Sequence, residues 1–328
     1  MKFSKHYLLA GLLLFTNAIS GTVQAETWTG YTYSAVSTTA AVQGMQRIAD
    51  RVKQETDNDL SITLHLGKTL QIASTDITQA VGDGIVDFAG DLYLAGNIPI
   101  ARVLNLPLLI NNEEEWEKAY TVMKPYLDSA FSRQGITYLG SYRYPQQVVF
   151  TRFEMNSLDD LANHKIRVTS PEQGAFIDAF GGSPITLSGS EVPTALERGV
   201  IDGVITASAG GAKNWHEFLP YNYRIPVNYT FSAIIANDTA HQNLPDTTRD
   251  ALDRIVNEEA QRITQDFIAD EKKQKKSQAS AGMKIMEASP EDMRIAREAM
   301  APWWHEWAKE AGPEYEQALK DILTTLGK

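Results

Sequence analysis

Hydrophobic and polar positions alternate with two different periods along the chain, which predicts helices and strands in succession. From Ala40, apolar residues recur at the spacing of one helix face, and they are Val42, Met45, Ile48, Ala49 and Val52. Thr38 or Thr39 precedes this helix and can cap it. After Asp59, apolar and polar residues alternate from Leu60 to Leu66, which predicts a half-buried strand.

The same succession continues to the end of the chain. Patterning predicts a helix over 74–82 and strands over 28–33, 85–89, 135–142, 165–168 and 185–187. A long helix is predicted from Pro245 or Asp246 to about Ser280, and Ser289 followed by Pro290 predicts another helix start. Strands that alternate with helices are typical of an α/β fold.

One nine-residue pattern occurs twice, about half the chain apart. Residues 80–88 have the sequence Ala-Val-x-x-Gly-Ile-Val-Asp-Phe, and residues 195–203 have Ala-Leu-x-x-Gly-Val-Ile-Asp-Gly. Each copy predicts a helix end, a glycine turn and a strand, because a helix C-terminus commonly needs a left-handed residue. Helix–glycine–strand is also a common local pattern. With this alternative kept open, the repeat predicts two similar α/β lobes.

The N-terminal segment has the pattern of a secretory signal peptide. Lys2, Lys5 and His6 precede the apolar run 7–15, and Val23-Gln24-Ala25 is a small-x-small cleavage site. The apolar run is shorter than the ~20 residues that span a membrane, so we expect cleavage after Ala25 and a periplasmic protein, rather than a retained anchor. The chain has no cysteine, hence neither a lipid-anchored cysteine nor a disulfide.

Composition and charge restrict the partners of the mature chain. Hydrophobic residues make up 43% and charged residues 22% of the sequence, which is typical of globular proteins. Cleavage would leave 303 residues, enough for two domains, and would move the net charge from −11 to −13 through loss of Lys2 and Lys5. This acidic balance argues against nucleic acid binding. An anionic ligand would therefore need local positive charge.

Arg167 is the residue that can supply such a charge. It lies between Ile166 and Val168 in the predicted strand 165–168. A buried guanidinium needs a carboxylate, because leaving it unpaired is unfavourable, and its fork can bind a carboxylate through two parallel bonds. The carboxylate belongs either to an Asp or Glu of the chain itself or to a ligand.

Three blocks around Arg167 carry a family resemblance. They are 161–168 (Leu-x-x-x-Lys-Ile-Arg-Val), 179–184 (Ala-x-Gly-x-x-Pro) and 191–203, in which Pro193 replaces the usual Tyr. The order and spacing of these blocks resemble those of the DctP-type solute-binding subunits of tripartite ATP-independent periplasmic (TRAP) transporters. The resemblance covers essentially all of the mature sequence. The resemblance implies that Arg167 forms the salt bridge to the ligand carboxylate. It also implies a small organic acid as ligand and membrane permease subunits as partners.

The resemblance further implies a two-lobed periplasmic-binding-protein fold with mixed sheets flanked by helices. We expect residues 26–144 plus 232–271 to form lobe one, and residues 145–231 plus 272–328 to form lobe two. The ligand cleft would lie between the lobes. The chain would cross between them near Tyr144, near Ser232 and along the long hinge-spanning helix.

Further cleft residues follow from topology, because ligands bind at the carboxyl ends of strands in open α/β sheets. The candidates at strand ends are Tyr33, Ser34, Asp91, Tyr93 and Thr206, and those at the return to lobe one are Asn228 and Tyr229. A tyrosine can stack on an aromatic ring or hydrogen-bond a sugar hydroxyl. An aromatic acid and a hydroxy or sugar acid therefore both stay open as ligands.

Two positions depart from family patterns. Gln147 stands twenty residues before Arg167, where a second Arg often occurs, and Thr206 stands where sialic-acid-binding members have Asn. Both departures disfavour a sialic-acid-like ligand. They predict a pocket with one cation and several neutral donors, hence a monocarboxylate.

Enzyme signatures are missing from the sequence. There is no cysteine nucleophile, no His-Glu-x-x-His, no Gly-x-Ser-x-Gly and no Walker loop. We therefore predict a monomeric receptor without cofactor or metal rather than an enzyme. A binding protein for an ABC importer or a sensor kinase is the alternative, and a periplasmic hydrolase is a remote one.

Overall fold

The structure, a computed structural model, describes residues 25–328. The predicted signal peptide, except for Ala25, lies outside the described residues. The strands are β1 (Glu26–Thr32), β2 (Leu60–His65), β3 (Phe88–Asp91), β4 (Ile136–Arg143), β5 (Gln147–Thr151), β6 (Lys165–Val168), β7 (Ser183–Thr186), β8 (Gly203–Thr206), β9 (Tyr221–Asn228), β10 (Phe231–Asn237) and β11 (Lys284–Glu287). The helices are α1 (Ala40–Glu55), α2 (Ile77–Gly82), α3 (Glu113–Ser132), α4 (Pro171–Ala179), α5 (Val192–Glu197), α6 (Ala212–Trp215), α7 (Asp238–Asn243), α8 (Asp246–Ser280), α9 (Pro290–Ala311) and α10 (Pro313–Leu326).

These strands form two mixed sheets. The first sheet has the order β2-β1-β3-β10-β4, and the second has the order β11-β9-β5-β8-β6-β7. In the first sheet only β10 runs antiparallel to its neighbours, and in the second β5 runs antiparallel to both β8 and β9. Helices flank both sheets. The predicted fold class, two mixed α/β sheets with flanking helices, is confirmed.

The repeated sequence pattern has the same structure in both copies. Gly84 and Gly199 take left-handed backbones, with φ of 69° and 67°. Asp87 then exchanges backbone and side-chain hydrogen bonds with Thr29 of β1, and Asp202 does the same with Lys165 of β6. The two copies therefore dock on the adjacent parallel strand in the same way.

One predicted strand begins later than the sequence pattern indicates. Residues 85–87 do not join the sheet, and β3 begins at Phe88. The reason is that the amides of Ile85 and Val86 both donate to the Ala80 carbonyl, so these residues still belong to the end of α2. Ile85 is consequently 65% exposed.

The chain crosses between the sheets by two short connections. Residues 144–146 join β4 to β5, and residues 229–230 join β9 to β10. The amide of Tyr144 donates to the Thr230 carbonyl at 2.9 Å, so the two crossings lie side by side. The last helix, α10, packs against α3. The boundaries of the two lobes stay a prediction.

The long helix α8 has the predicted bounds and is fixed to α1. Glu259, which is 2% exposed, accepts hydrogen bonds from Arg47 at 2.6 Å and from Arg51 at 3.0 Å. Apolar residues of α8 pack with α1 and the first sheet, and they include Leu252, Ile255, Val256, Ile263 and Phe267. Within residues 25–328, no helix is both long and apolar enough to span a membrane.

We expect Gly84→Ala and Gly199→Ala each to lower the free energy of unfolding by about 1–2 kcal/mol, because both backbones are left-handed and no close contact adds a steric term. Chemical denaturation of the two variants measures this. Gly96→Ala, where an added Cβ meets nothing within 4 Å, is the control and should change stability by less. Unequal losses at Gly84 and Gly199 would contradict the structural equivalence of the two turns.

Candidate functional site

The carboxyl ends of the parallel strands meet at the crossings between the sheets. In the first sheet, β1 and β3 end at this edge, and Phe231 pairs there with Arg143. In the second sheet, β6, β7 and β8 end at the corresponding edge, where Gln147 pairs with Asn228. Connections of two and three residues hold these edges opposite each other. The space between them is the candidate cleft.

Arg167 is a buried cation that has no acidic partner within residues 25–328. The residue is 6% exposed, and its Nε donates to the Leu187 carbonyl at 2.9 Å. Its Cζ lies 5.6 Å from the centroid of the Trp215 ring. Among the described residues, no Asp or Glu forms a salt bridge with Arg167, so a structural ion pair is not the arrangement found.

The surroundings of Arg167 make its charge less favourable than it is in water. Burial lowers the pKa of Arg167, and the Tyr93 phenol from the opposite sheet works in the other direction. An arginine side chain has five N–H donors, of which the Leu187 carbonyl takes one. A bound carboxylate would accept from the terminal nitrogens and supply the missing negative charge.

Three tyrosines form the wall contributed by the first sheet. The hydroxyls of Tyr33 and Tyr144 are hydrogen-bonded to each other. The rings of Tyr93 and Tyr33 pack edge to face, with their centroids 5.8 Å apart. Burial raises the pKa of Tyr33 and Tyr144 well above the ordinary tyrosine value. Tyr93 is 48% exposed, and the wall therefore offers both ring faces and neutral hydroxyl groups.

Asp91 ends β3 at this edge, yet its carboxylate is directed into the protein. It is fully buried, and its oxygens accept from the Thr78 hydroxyl at 2.5 Å and from the Tyr93 amide at 2.7 Å. Burial raises its pKa to about 6. Asp91 thus fixes the turn that carries Tyr93, and each of its oxygens already accepts a hydrogen bond.

The second sheet contributes neutral polar groups. Thr206 is buried, and its hydroxyl oxygen accepts from the Gly211 amide at 2.9 Å, which leaves its hydrogen free to be donated. Gln147 donates to the Pro145 carbonyl at 2.9 Å. The amide group of Asn228 is engaged by Gln173 and by the Asn105 carbonyl, both at 3.1 Å. On the first sheet, the Ser34 hydroxyl accepts from the Val36 amide at 3.2 Å.

Tyr229 lies in the second crossing and packs with an arginine. The Cζ of Arg143 is 4.7 Å from its ring centroid, and the Trp116 ring is 5.6 Å away. Burial raises the pKa of Tyr229 to about 12. Arg152 lies at the opposite end of β5, where it donates to the Leu196 carbonyl at 2.9 Å.

Two residues of the cleft were missed in the sequence. Trp215 does not lie at a predicted strand end, and Tyr144 is predicted only as a crossing between the lobes. A Cβ on Gly211 would come within 2.0 Å of the Trp215 ring, so glycine at 211 is what allows the ring to fold back towards the sheet. The Gly210-Gly211 pair ahead of Trp215 was the available signal.

The fold and the cleft together define a class of protein. Two mixed sheets joined by short crossings, with the ends of their parallel strands meeting at those crossings, are typical of a two-lobed binding protein. Within residues 25–328, no group of three or more His, Asp or Glu residues could hold a metal ion.

Comparison with known proteins identifies the family. The model of the bacterial extracellular solute-binding protein family 7, DctP, matches residues 31–310, so the chain belongs to this family. Among curated proteins, the uncharacterized protein YiiZ of Salmonella typhimurium LT2 is 28% identical over 158 residues. That match covers 47% of this chain and 45% of the relative, so it spans less than half of the relative's length.

Solved structures share the fold over nearly their whole length. DctP7 of Bordetella pertussis, an extracytoplasmic solute receptor binding pyroglutamic acid, is 25% identical with a TM-score of 0.81, over 91% of this chain and 99% of that chain. A TRAP solute-binding protein from Sulfitobacter sp. NAS-14.1 with bound β-D-galacturonate is 18% identical with a TM-score of 0.79, over 90% and 99%. The resemblance to TRAP solute-binding proteins is confirmed.

We expect Asp91→Asn to remove a pH dependence of stability. A carboxyl whose pKa is raised on folding stabilises the native state below its unfolded pKa, and this contribution is lost as the pH rises through about 6. Relative to the variant, the wild type should therefore lose on the order of 2–3 kcal/mol between about pH 4 and pH 6–7. Unfolding at several pH values measures it. The exposed Asp50→Asn is the charge control, and superimposable profiles of wild type and Asp91→Asn would contradict the assignment.

Proposed function

We propose that the protein is a periplasmic receptor that binds an organic acid anion through one carboxylate and delivers it to a TRAP permease. The observation that carries the proposal is the buried Arg167, which is 6% exposed and faces no acid of the described chain. The cost of burying an unpaired charge is offset when a ligand carboxylate binds it. Membership in a family of extracellular solute-binding proteins supports the location and the transport role.

The groups around Arg167 favour a cyclic monocarboxylate. Gln147 and Thr206 are neutral, so no second cation stands ready for a second carboxylate at these positions. Tyr33, Tyr93 and Tyr144 offer flat faces and hydroxyl groups to a ring with polar substituents. Pyroglutamate and galacturonate, the ligands of two structural relatives, are both cyclic acids with a single carboxylate.

A thermal-shift screen tests the ligand class directly. Pyroglutamate, galacturonate, glucuronate, an aromatic monocarboxylate and a dicarboxylate would be compared at equal concentration. A ligand present at 100 times its dissociation constant adds roughly 2.7 kcal/mol to the free energy of unfolding. Stabilisation by dicarboxylates alone would contradict the monocarboxylate, and recovery of a chemically altered ligand after denaturation would contradict a receptor.

We expect Arg167→Ala to reduce affinity for the best acid of the screen by some tens- to thousands-fold. Removing one partner of a buried charged pair costs about 2–5 kcal/mol, at roughly 1.4 kcal/mol per decade of affinity. Arg167→Lys should recover little, because an ammonium cannot form the two parallel bonds of the guanidinium fork. Calorimetry measures both variants.

Arg152→Ala is the matched control, because this arginine belongs to the same sheet but lies at the end opposite the cleft. The affinity of Arg152→Ala for the best acid of the screen should equal that of the wild type. The empty Arg167→Ala protein should keep its melting temperature, since no acid of the described chain loses a partner. A large fall in melting temperature together with unchanged affinity would make Arg167 a structural residue.

A further inference from the structure

The loop that follows β8 shapes the cleft on the side of Arg167. It comprises residues 207–211 and is called the 207–211 loop below. The Gly211 amide at its end returns to the Thr206 hydroxyl at 2.9 Å, and α6 then places Trp215 beside the Arg167 guanidinium. One short backbone segment therefore fixes two side chains of the candidate site.

The C-terminal part of α8 holds this loop. The Ala209 amide donates to Glu271 Oε2 at 2.8 Å, and the Gln278 side chain donates to the Ser208 carbonyl at 3.1 Å. Ser208 and Gln278 are 0% and 3% exposed, so the contact region is dry. The loop is thus bound to a helix that begins more than thirty residues later in the sequence.

Glu271 has a second partner that fixes its orientation. Arg224 of β9 donates to Glu271 Oε1 at 2.9 Å and, through its other terminal nitrogen, to the Ser208 hydroxyl at 3.2 Å. The side chains of Arg224 and Glu271 are 11% and 13% exposed. Each carboxylate oxygen therefore has its own donor, one from the sheet and one from the loop. A partly buried network of charge-assisted hydrogen bonds holds its geometry better than an ion pair on the surface.

The other part of α8 belongs to the packing of the first sheet. Phe267, one turn before Glu271, packs with Tyr142 and Tyr144. The Thr264 hydroxyl accepts from the Arg143 amide at 3.0 Å. A displacement of α8 relative to the first sheet would accordingly reach the 207–211 loop through the bonds of Glu271 and Gln278.

We propose that Glu271 is a positioning residue for the ligand site, which ties the Thr206–Trp215 side of the cleft to the long helix. The effect on affinity rests on the proposed function, whereas the effect on the loop does not. A mutation in such a linking contact modulates coupling by amounts equivalent to about 2- to 30-fold in affinity.

The test compares Glu271→Ala, Glu271→Gln and the control Glu287→Gln. Glu287 also faces Arg224, at 3.9 Å, but it has no bond to the loop and its side chain is 66% exposed. Hydrogen exchange of the amides in the 207–211 loop is measured without ligand. Calorimetry with pyroglutamate as the probe is measured on the same proteins, beside their melting temperatures.

We expect Glu271→Ala to speed exchange of the Ala209 amide about tenfold or more and to weaken pyroglutamate binding about 2- to 30-fold. Glu271→Gln should recover most of both, because its amide oxygen still accepts from Ala209. Glu287→Gln should change neither. Unchanged exchange in Glu271→Ala, or an equal effect of Glu287→Gln, would overturn the proposal.

The two proposals fail in different ways. If the wild type binds no acid of the screen while Ala209 exchange responds as expected, the receptor function is wrong and the positioning of the loop stands. If pyroglutamate binds and Arg167→Ala abolishes binding while Glu271→Ala changes neither exchange nor affinity, the positioning is wrong and the receptor function stands. A fall in melting temperature alone would show that Glu271 only joins α8 to β9.

Discussion

A buried guanidinium without a carboxylate is the constraint that organises the site. Within the part of the chain that the structure describes, only the Nε of Arg167 has a hydrogen-bond acceptor, the Leu187 carbonyl, and Trp215 packs beside the guanidinium. Complete burial of such a charge would be strongly unfavourable, whereas full hydration would leave an anion little advantage over water. A cleft between two lobes resolves this conflict, because its water can leave when a ligand carboxylate arrives.

The crossings allow such a change without disturbing the sheets. Only residues 144–146 and 229–230 connect β4 to β5 and β9 to β10, and the two segments share the bond between Tyr144 and Thr230. Rotation about a few backbone angles at connections of this kind is how hinge motions occur. The third link, α8, is a continuous helix with contacts to both sheets, so a hinge motion would require it to bend or slide.

Local patterns predicted the long elements well and the cleft only in part. Helices α1 and α8 follow from apolar periodicity, which is a property of neighbouring residues. The late start of β3 does not, because the helix-end bonds of Ile85 and Val86 compete with the sheet. Asp91 was expected in the cleft from its place at a strand end, but burial and the Tyr93 amide direct it inwards. Tyr144 joins the wall only through pairing distant in sequence.

The repeat places a tyrosine of the first sheet and Arg167 of the second sheet at equivalent positions. Because Asp87 docks on Thr29 as Asp202 docks on Lys165, the residue of β1 equivalent to Arg167 is Tyr31. The Tyr31 hydroxyl donates to the Ile72 carbonyl at 3.0 Å and accepts from the Lys68 amide at 3.0 Å, so that position is satisfied within its own lobe.

Arg167 makes the corresponding bond through its Nε, which donates to the Leu187 carbonyl just after the neighbouring strand β7. Its other N–H groups have no acceptor among the described residues. Equivalent backbone positions thus have opposite chemistry. At the first position the Tyr31 hydroxyl bonds the backbone of its own sheet's connections, while at the second the Arg167 guanidinium is left with N–H groups that no described residue accepts. A ligand carboxylate is the group that we propose to complete this open fork.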